Sequence, residues 1–246
     1  MHSLHFSRMM GAKAFICSPV VCEGEALGVF AVDNVHSKRP LVQSDLSLLI
    51  GVASIIGIAI RNTELIESKE RQFSSILEVL AASIDARDPL TSGHSAKVTE
   101  YAVGICQELK MDSQYCEMIR VAALLHDYGK IGVPDSILNK AGSLNDKEYE
   151  IVKTHAACTR TILERVNFEG VYKEVPIIAG AHHERYDGRG YPQGLAGEEI
   201  PMGARIIAVA DFFEAVTAQR HYHQPMAHEQ ALDLMQAKTQ SHFDPR

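Results

Sequence analysis

The sequence predicts a mainly α protein: an all-helical bundle preceded by a small α/β fragment and a long connecting helix. Three observations carry this. Residues 14–35 read as two strands, AFICSPVV and ALGVFAVDNV, around the polar, glycine-containing CEGE that would close a hairpin. Mostly apolar positions then recur at an alternating four-three spacing from Leu48 to Leu80. From residue 81 to the end the chain reads as successive helical stretches with capping signals.

A chain of 246 residues has room for one full domain and part of another. The boundaries fall at residues 1–62 for a first unit, 63–80 for the connecting helix and 81–246 for the helical domain. With 46% hydrophobic residues and a formal net charge of −7, a sizeable core can form, and no basic stripe is available for DNA or RNA. Five cysteines without C-x-x-C pairing fit reduced thiols and a cytoplasmic location. The opening MHSLHFSRMMGAK has no uninterrupted apolar run of the kind a signal peptide needs. Leu46–Ile60 is nearly all apolar but includes Ser47 and Ser54; it falls short of the roughly 20 residues a bilayer requires, so a buried helix and no membrane are expected.

Ser44 is placed to cap the helix after the hairpin. The seam along that helix comprises Leu48, Val52, Ile55, Ala59, Asn62, Ile66, Lys69, Phe73, Ile76 and Leu80. Such a heptad favours a parallel homodimer, with Asn62 and Lys69 setting register; the alternative is a helix that covers the hairpin and then continues as a solvated linker. Pro176 and Pro201 mark later helix starts, as does Ser143 before a charged first turn. YDGRGYPQGLAG at 186–197 breaks the helical pattern and reads as a functional loop.

The histidines carry the chemistry. His94, His126, His155, His182 and His183 fall in or at the ends of predicted helices; any one alone is more often a hydrogen-bonded core residue. VAALLHDYGK, however, sets His126 beside Asp127 where an apolar helix ends, IIAGAHHERYDG offers two adjacent imidazoles, and Asp211 lies inside the apolar IIAVADFFEAV. A buried unpaired carboxylate is costly. Coordination to a cation offsets that cost for Asp211, the alternative being an ion pair with Arg205 or Arg220. Imidazole and carboxylate ligands without thiolates suit Fe, Mn or Zn. Seven candidates exceed the needs of one ion, whereas two ions about 3.5–4 Å apart and bridged by a carboxylate would use them and support in-line displacement at phosphorus. Asp127 is the candidate bridge.

Taken together, His94, His126-Asp127-x-Gly-Lys130, His155, His182-His183, Asp211 and the loop H-H-E-R-x-D-G-x-G-Y-P resemble the HD-GYP phosphodiesterases over roughly residues 75–246. GEALGVFAVDNV followed by SDLSLLIGVASIIGIAIRN resembles the C-terminal half of a GAF sensory domain. The first resemblance implies an HD-domain bundle that hydrolyses cyclic di-GMP to pGpG, GMP or both, at a site holding two transition-metal ions, Fe or Mn. It implies His94, His126 and Asp211 on one ion, His155, His182 and His183 on the other, and Asp127 bridging them, with a hydroxide between the ions as nucleophile. Lys130 then stabilises charge on a phosphate oxygen, Arg185 and Arg189 bind phosphates, and Gly188 and Gly190 permit the loop conformation. Tyr191 and Pro192 complete the GYP signature and serve loop shape, stacking or contact with a signalling partner. Residues 90–93 bring no carboxylate for a third ion, Asp88 being nearest, so two metals are favoured. The stretches after Asp211, AQRHYHQPM and AKTQSHFDPR, follow the family only loosely. The alternatives are a catalytically silent cyclic-dinucleotide or protein-binding module, and an HD phosphohydrolase for another nucleotide.

Overall fold

The structure, a computed structural model, describes residues 14–88, 93–219 and 225–246. It is 62% helical, with eight α-helices and one two-stranded sheet among the described residues. The chain divides into two compact units, residues 1–73 and 74–246.

In the first unit, β1 (Phe15–Cys22) pairs antiparallel with β2 (Glu25–Asp33), from Phe15 opposite Asp33 to Cys22 opposite Glu25, with a register shift between Val20 and Val21. Glu23 and Gly24 both take positive φ, 52° and 84°, which a two-residue hairpin turn demands. Helix α1 (Gln43–Asp85) follows. Ser44 does not cap it: the helix begins one residue earlier, and the Asp45 carboxylate accepts from Val42 N at 2.9 Å while forming a forked pair with Arg39. Leu49, Ala53 and Gly57, four residues apart, bury one stripe of α1. This stripe meets the hairpin, because a Cβ on Gly57 would lie 2.8 Å from the Val21 carbonyl oxygen.

Burial of α1 stops at that stripe. Leu48 and Ile55 are each 68% exposed and Ile66 and Ile76 are exposed as well, so the seam positions lie largely in solvent. The expectation of a buried helix over Leu46–Ile60 is thus corrected to a helix buried on one face. By length and composition α1 could also cross a membrane, since its most apolar window of 18 residues has mean hydropathy 1.8 and only 17% of it is buried.

The second unit holds α2 (His94–Glu108), α3 (Ser113–Leu125), α4 (Asp135–Leu138), α5 (Asp146–Leu163), α6 (Val175–Gly180), α7 (Met202–Thr217) and α8 (His228–Ala237). Its core is built from small and branched side chains: Val98, Ala102, Ile119, Val121, Ala122, Ala123, Ala156, Ile178, Ala204 and Ile207 are all at most 1% exposed. Such residues let helix backbones approach closely. Gly203 is one such case, with Ile119 and Ile178 methyl carbons where a Cβ would sit.

Asp112 caps α3 by accepting from Gln114 N and Tyr115 N. Pro176 stands in the first turn of α6 and Pro201 at the N-cap of α7, as their positions predict. The start of α5 differs from expectation: Asn145, not Ser143, is the N-cap, in a reciprocal box with Glu148. The C-terminal segment docks on the 186–197 loop, with Tyr186 N and Asp187 N donating to the carbonyls of His242 and Ser241. Asn145→Ala is expected to lower the unfolding free energy by about 1 kcal/mol, seen as a shift in urea midpoint at unchanged slope.

Candidate metal centre

α3 buries Met118, Ile119 and the run Val121–Leu125, so its end points inward and carries His126 and Asp127 into the core. The turn Tyr128–Gly132 then lies directly on α5. Only glycine allows this at position 129, where a Cβ would sit 2.0 Å from the His155 carbonyl oxygen and 2.4 Å from Thr159 N. Thr159 locks the contact, its hydroxyl accepting from Gly129 N at 2.8 Å and donating to the His126 carbonyl at 2.9 Å. His155, one turn earlier on α5, is thereby set facing Asp127. His94 opens α2, His182 and His183 follow the end of α6, and Asp211 lies within α7.

These elements converge on the Asp127 carboxylate, whose two oxygens face different groups. Oδ1 lies 3.3 Å from His155 Nε2 and 3.9 Å from His182 Nε2. Oδ2 lies 3.4 Å from His126 Nε2, 3.8 Å from His94 Nε2 and 2.8 Å from Lys130 Nζ. His94 Nε2 is also 3.2 Å from Asp211 Oδ1. Potential ligand atoms of Asp127, His155, His182 and His183 form one group, and those of His94, His126 and Asp127 a second, each within 4.8 Å of one another.

The imidazole tautomers follow from the backbone. Nδ1 of His126, His155 and His182 lies 2.6, 2.6 and 2.7 Å from the carbonyl three residues earlier, on Ala123, Val152 and Ala179. A carbonyl can only accept, so Nδ1 carries the proton and each Nε2 presents a lone pair. All three Nε2 atoms are buried without a hydrogen-bond partner among the described residues. Leaving one such acceptor unsatisfied costs about 1–3 kcal/mol. Three of them beside one carboxylate fit a divalent cation, and nitrogen and oxygen donors without thiolate fit a transition metal. The HD-type cluster thus points to a divalent metal-binding site.

Charge in the centre is arranged to the same end. Burial opposes ionisation of Asp127, yet Lys130 and the adjacent imidazoles hold its pKa well below the usual carboxylate range. Asp211 behaves likewise against His94. Burial and neighbouring imidazoles depress His182 and take His183 to about 4, leaving both unprotonated at neutral pH. His94 goes the other way: burial disfavours its charge, but hydrogen bonds to Asp211 and Glu214 raise it to about 10. A proton between His94 and Asp211 does there what a cation would do electrostatically, while Glu214 holds the opposite ring nitrogen.

All seven candidate ligands lie among the described residues. Arg205 pairs with Asp244, not with Asp211, and Arg220 lies outside the described residues, as do Leu90, Thr91, Ser92 and part of AQRHYHQPM. Lys130 is half-buried between Asp127 and Asp88, with Nζ 3.0 Å from the latter. In the loop, Arg185 is tied to Asp187 at 2.6 Å, and the same carboxylate accepts from Arg189 N. Gly188 takes φ 74°. A Cβ on Gly190 would lie 2.3 Å from Arg185 N, so the loop folds flat onto its own start. The Tyr191 ring covers His183 with centroids 4.7 Å apart, and Pro192 is exposed. A cavity of about 1120 Å³ lined by Tyr101, Phe213, Leu232 and Met235 contains none of the seven candidate ligands.

Three supporting residues escape sequence reasoning. Thr159 fixes the turn, Glu214 holds His94, and buried Glu184 accepts from Gln193 N and Leu195 N to anchor the loop. Only Glu214 leaves a trace in the sequence, as an acid three residues after Asp211 on one helix face.

A helical bundle with histidines and aspartates paired as candidate ligands defines a class of protein. The HD domain family matches residues 78–246, and the chain belongs to it. The GAF domain matches residues 2–60. The relatives are HD-GYP phosphodiesterases. The chain is 40% identical over 170 residues to the 3'3'-cGAMP-specific phosphodiesterase 3 of Vibrio cholerae, covering 69% of this chain and 36% of that protein. It is 38% identical over 182 residues to the cyclic di-GMP phosphodiesterase response regulator RpfG of Xanthomonas campestris pv. campestris, covering 74% and 47%. The chain thus spans less than half the length of these curated relatives. In structure it resembles a cyclic GMP-AMP specific phosphodiesterase of V. cholerae, with TM-score 0.52 at 18% identity over 69% of this chain and 46% of that one; at that identity the likeness concerns the fold.

Thr159→Val, which keeps the shape but removes the hydroxyl, leaves Gly129 N and the His126 carbonyl without their partner. It is expected to destabilise the chain by about 1–3 kcal/mol, measured by chemical denaturation.

Proposed function

We propose that the chain hydrolyses cyclic di-GMP to pGpG, GMP or both, at a centre of two transition-metal ions, Fe or Mn. The observation that carries the reading is the Asp127 carboxylate, whose two oxygens address two separate sets of imidazoles. On this reading His94, His126 and Asp211 would hold one ion and His155, His182 and His183 the other, with Asp127 shared between them. Bound there, the pair of ions supplies Lewis acidity and a nucleophile at neutral pH.

The chain's own residues do the rest. The carbonyls of Ala123, Val152 and Ala179 keep protons off the three Nε2 atoms. Lys130 has three donors; with two directed at carboxylates, the third serves a phosphoryl oxygen as negative charge grows there. Arg189, whose side chain is exposed on the loop, and Arg185 bind the substrate's phosphates, and Tyr191 forms the wall over His183. Opening the ring consumes water: its oxygen bonds to phosphorus, the bond from phosphorus to the 3′ oxygen breaks, and that oxygen takes the proton. The same loop, with exposed Pro192, is the surface we assign to a signalling partner.

3'3'-cGAMP is the second reading for the substrate, favoured by the name of the V. cholerae relative. We further assign residues 1–62 to a GAF-type sensor, residues 63–80 to the connecting helix and residues 81–246 to the catalytic domain, in a cytoplasmic homodimer joined along the exposed seam of α1.

Asp127→Ala is expected to remove metal and turnover together. Unchanged hydrolysis of both cyclic dinucleotides by the variant would refute the bridge. For the dimer, Ile55→Asp is expected to weaken self-association in sedimentation equilibrium, and an unaltered dimer would refute the seam.

A further inference from the structure

Three side chains at and just beyond the C-terminal end of α1 reach the supports of the metal centre. Asp85 accepts from Ser95 Oγ at 2.7 Å and Ser95 N at 3.3 Å, next to His94. Arg87 donates to the carbonyls of Lys130, Ile131 and Val133, at 3.2, 2.7 and 2.9 Å, and to the Asp135 carboxylate at 2.9 Å. It therefore grips the turn that carries Lys130. Asp88, only 4% exposed, accepts from Lys130 Nζ at 3.0 Å, while the same ammonium lies 2.8 Å from Asp127 Oδ2.

The ammonium is thus shared between two buried carboxylates, and one of them is the centre's pivot. An ammonium committed wholly to Asp127 would compete with a cation for Oδ2, because both seek the same lone pairs and the same negative charge. Asp88 divides that attraction. We infer that Asp88 is a positioning residue for the metal centre: by sharing the Lys130 ammonium it leaves Asp127 Oδ2 able to accept a cation, with Arg87 and Asp85 setting where it stands. The end of α1 then governs metal affinity without contributing a ligand. The inference rests on the metal-centre reading and reaches beyond it to a residue that acts only through Lys130.

The test is calorimetric titration of Mn2+ into the metal-stripped full chain, as wild type, Asp88→Asn, Lys130→Met and the double variant, each checked for folding by circular dichroism. Asp88→Asn is expected to weaken Mn2+ binding about 10-fold, as for losing one hydrogen bond to a charged group, and to have no further effect once Lys130 is Met. Asp88→Glu, which keeps the charge, should retain most of the affinity. Equal losses in both Lys130 backgrounds, or no loss in either, would overturn the inference while leaving the metal centre standing. A wild-type chain that binds no Mn2+ would overturn both. Should Asp88→Asn fail to fold, Asp88→Ser in the same two backgrounds reads the same coupling.

Discussion

An ionised aspartate in the middle of a helical core is the constraint around which the second unit is organised. Asp127 is 6% exposed, and removing a carboxylate from water costs several kcal/mol unless opposite charge and hydrogen bonds replace the solvent. Lys130 supplies one opposing charge; of the four imidazole Nε2 atoms that also face the carboxylate, that of His94 shares a proton with Asp211, and the other three present lone pairs. Three of those nitrogens are unsatisfied. A cation on each side of Asp127 would satisfy carboxylate and imidazoles at once, which is why the cluster reads as a metal site and not as a polar core.

Holding that arrangement places demands on distant parts of the chain. Gly129 and Thr159 set α5 against the turn after His126, Glu214 holds His94 from α7, and the end of α1 grips Lys130 and its turn. Small core residues such as Ala102, Ala122 and Ala156 let the helices come near enough for histidines from four different segments to meet one carboxylate. The loop after His183 is anchored through Glu184 and Gly190 and lies against His183 through Tyr191.

Much of this was legible in the sequence because it is local. Adjacent His-Asp and His-His pairs at the ends of apolar helices signal ligands, the hairpin turn announces itself by its glycine, and the apolar spacing from Leu48 to Leu80 marks one continuous helix. What escaped depends on contacts across the chain or on a shift of one or two residues. Asp45 and Asn145, not the expected Ser44 and Ser143, make the hydrogen bonds at these helix starts, because neighbouring polar residues compete for the same local amides. Thr159, Glu184 and Arg87 are ordinary residue types whose roles arise only when partners 9 to 48 positions away are folded against them. Lys130, readable as a phosphate ligand, also stands half-buried between two aspartates, a position no spacing rule reports.

The central claim is that Asp127 joins two ions, and anomalous diffraction from crystals of the Mn-loaded full chain tests it most directly. Two peaks are expected, one beside His94, His126 and Asp211 and the other beside His155, His182 and His183, with an Asp127 oxygen on each. A single peak, or metal bound away from Asp127, would contradict the account.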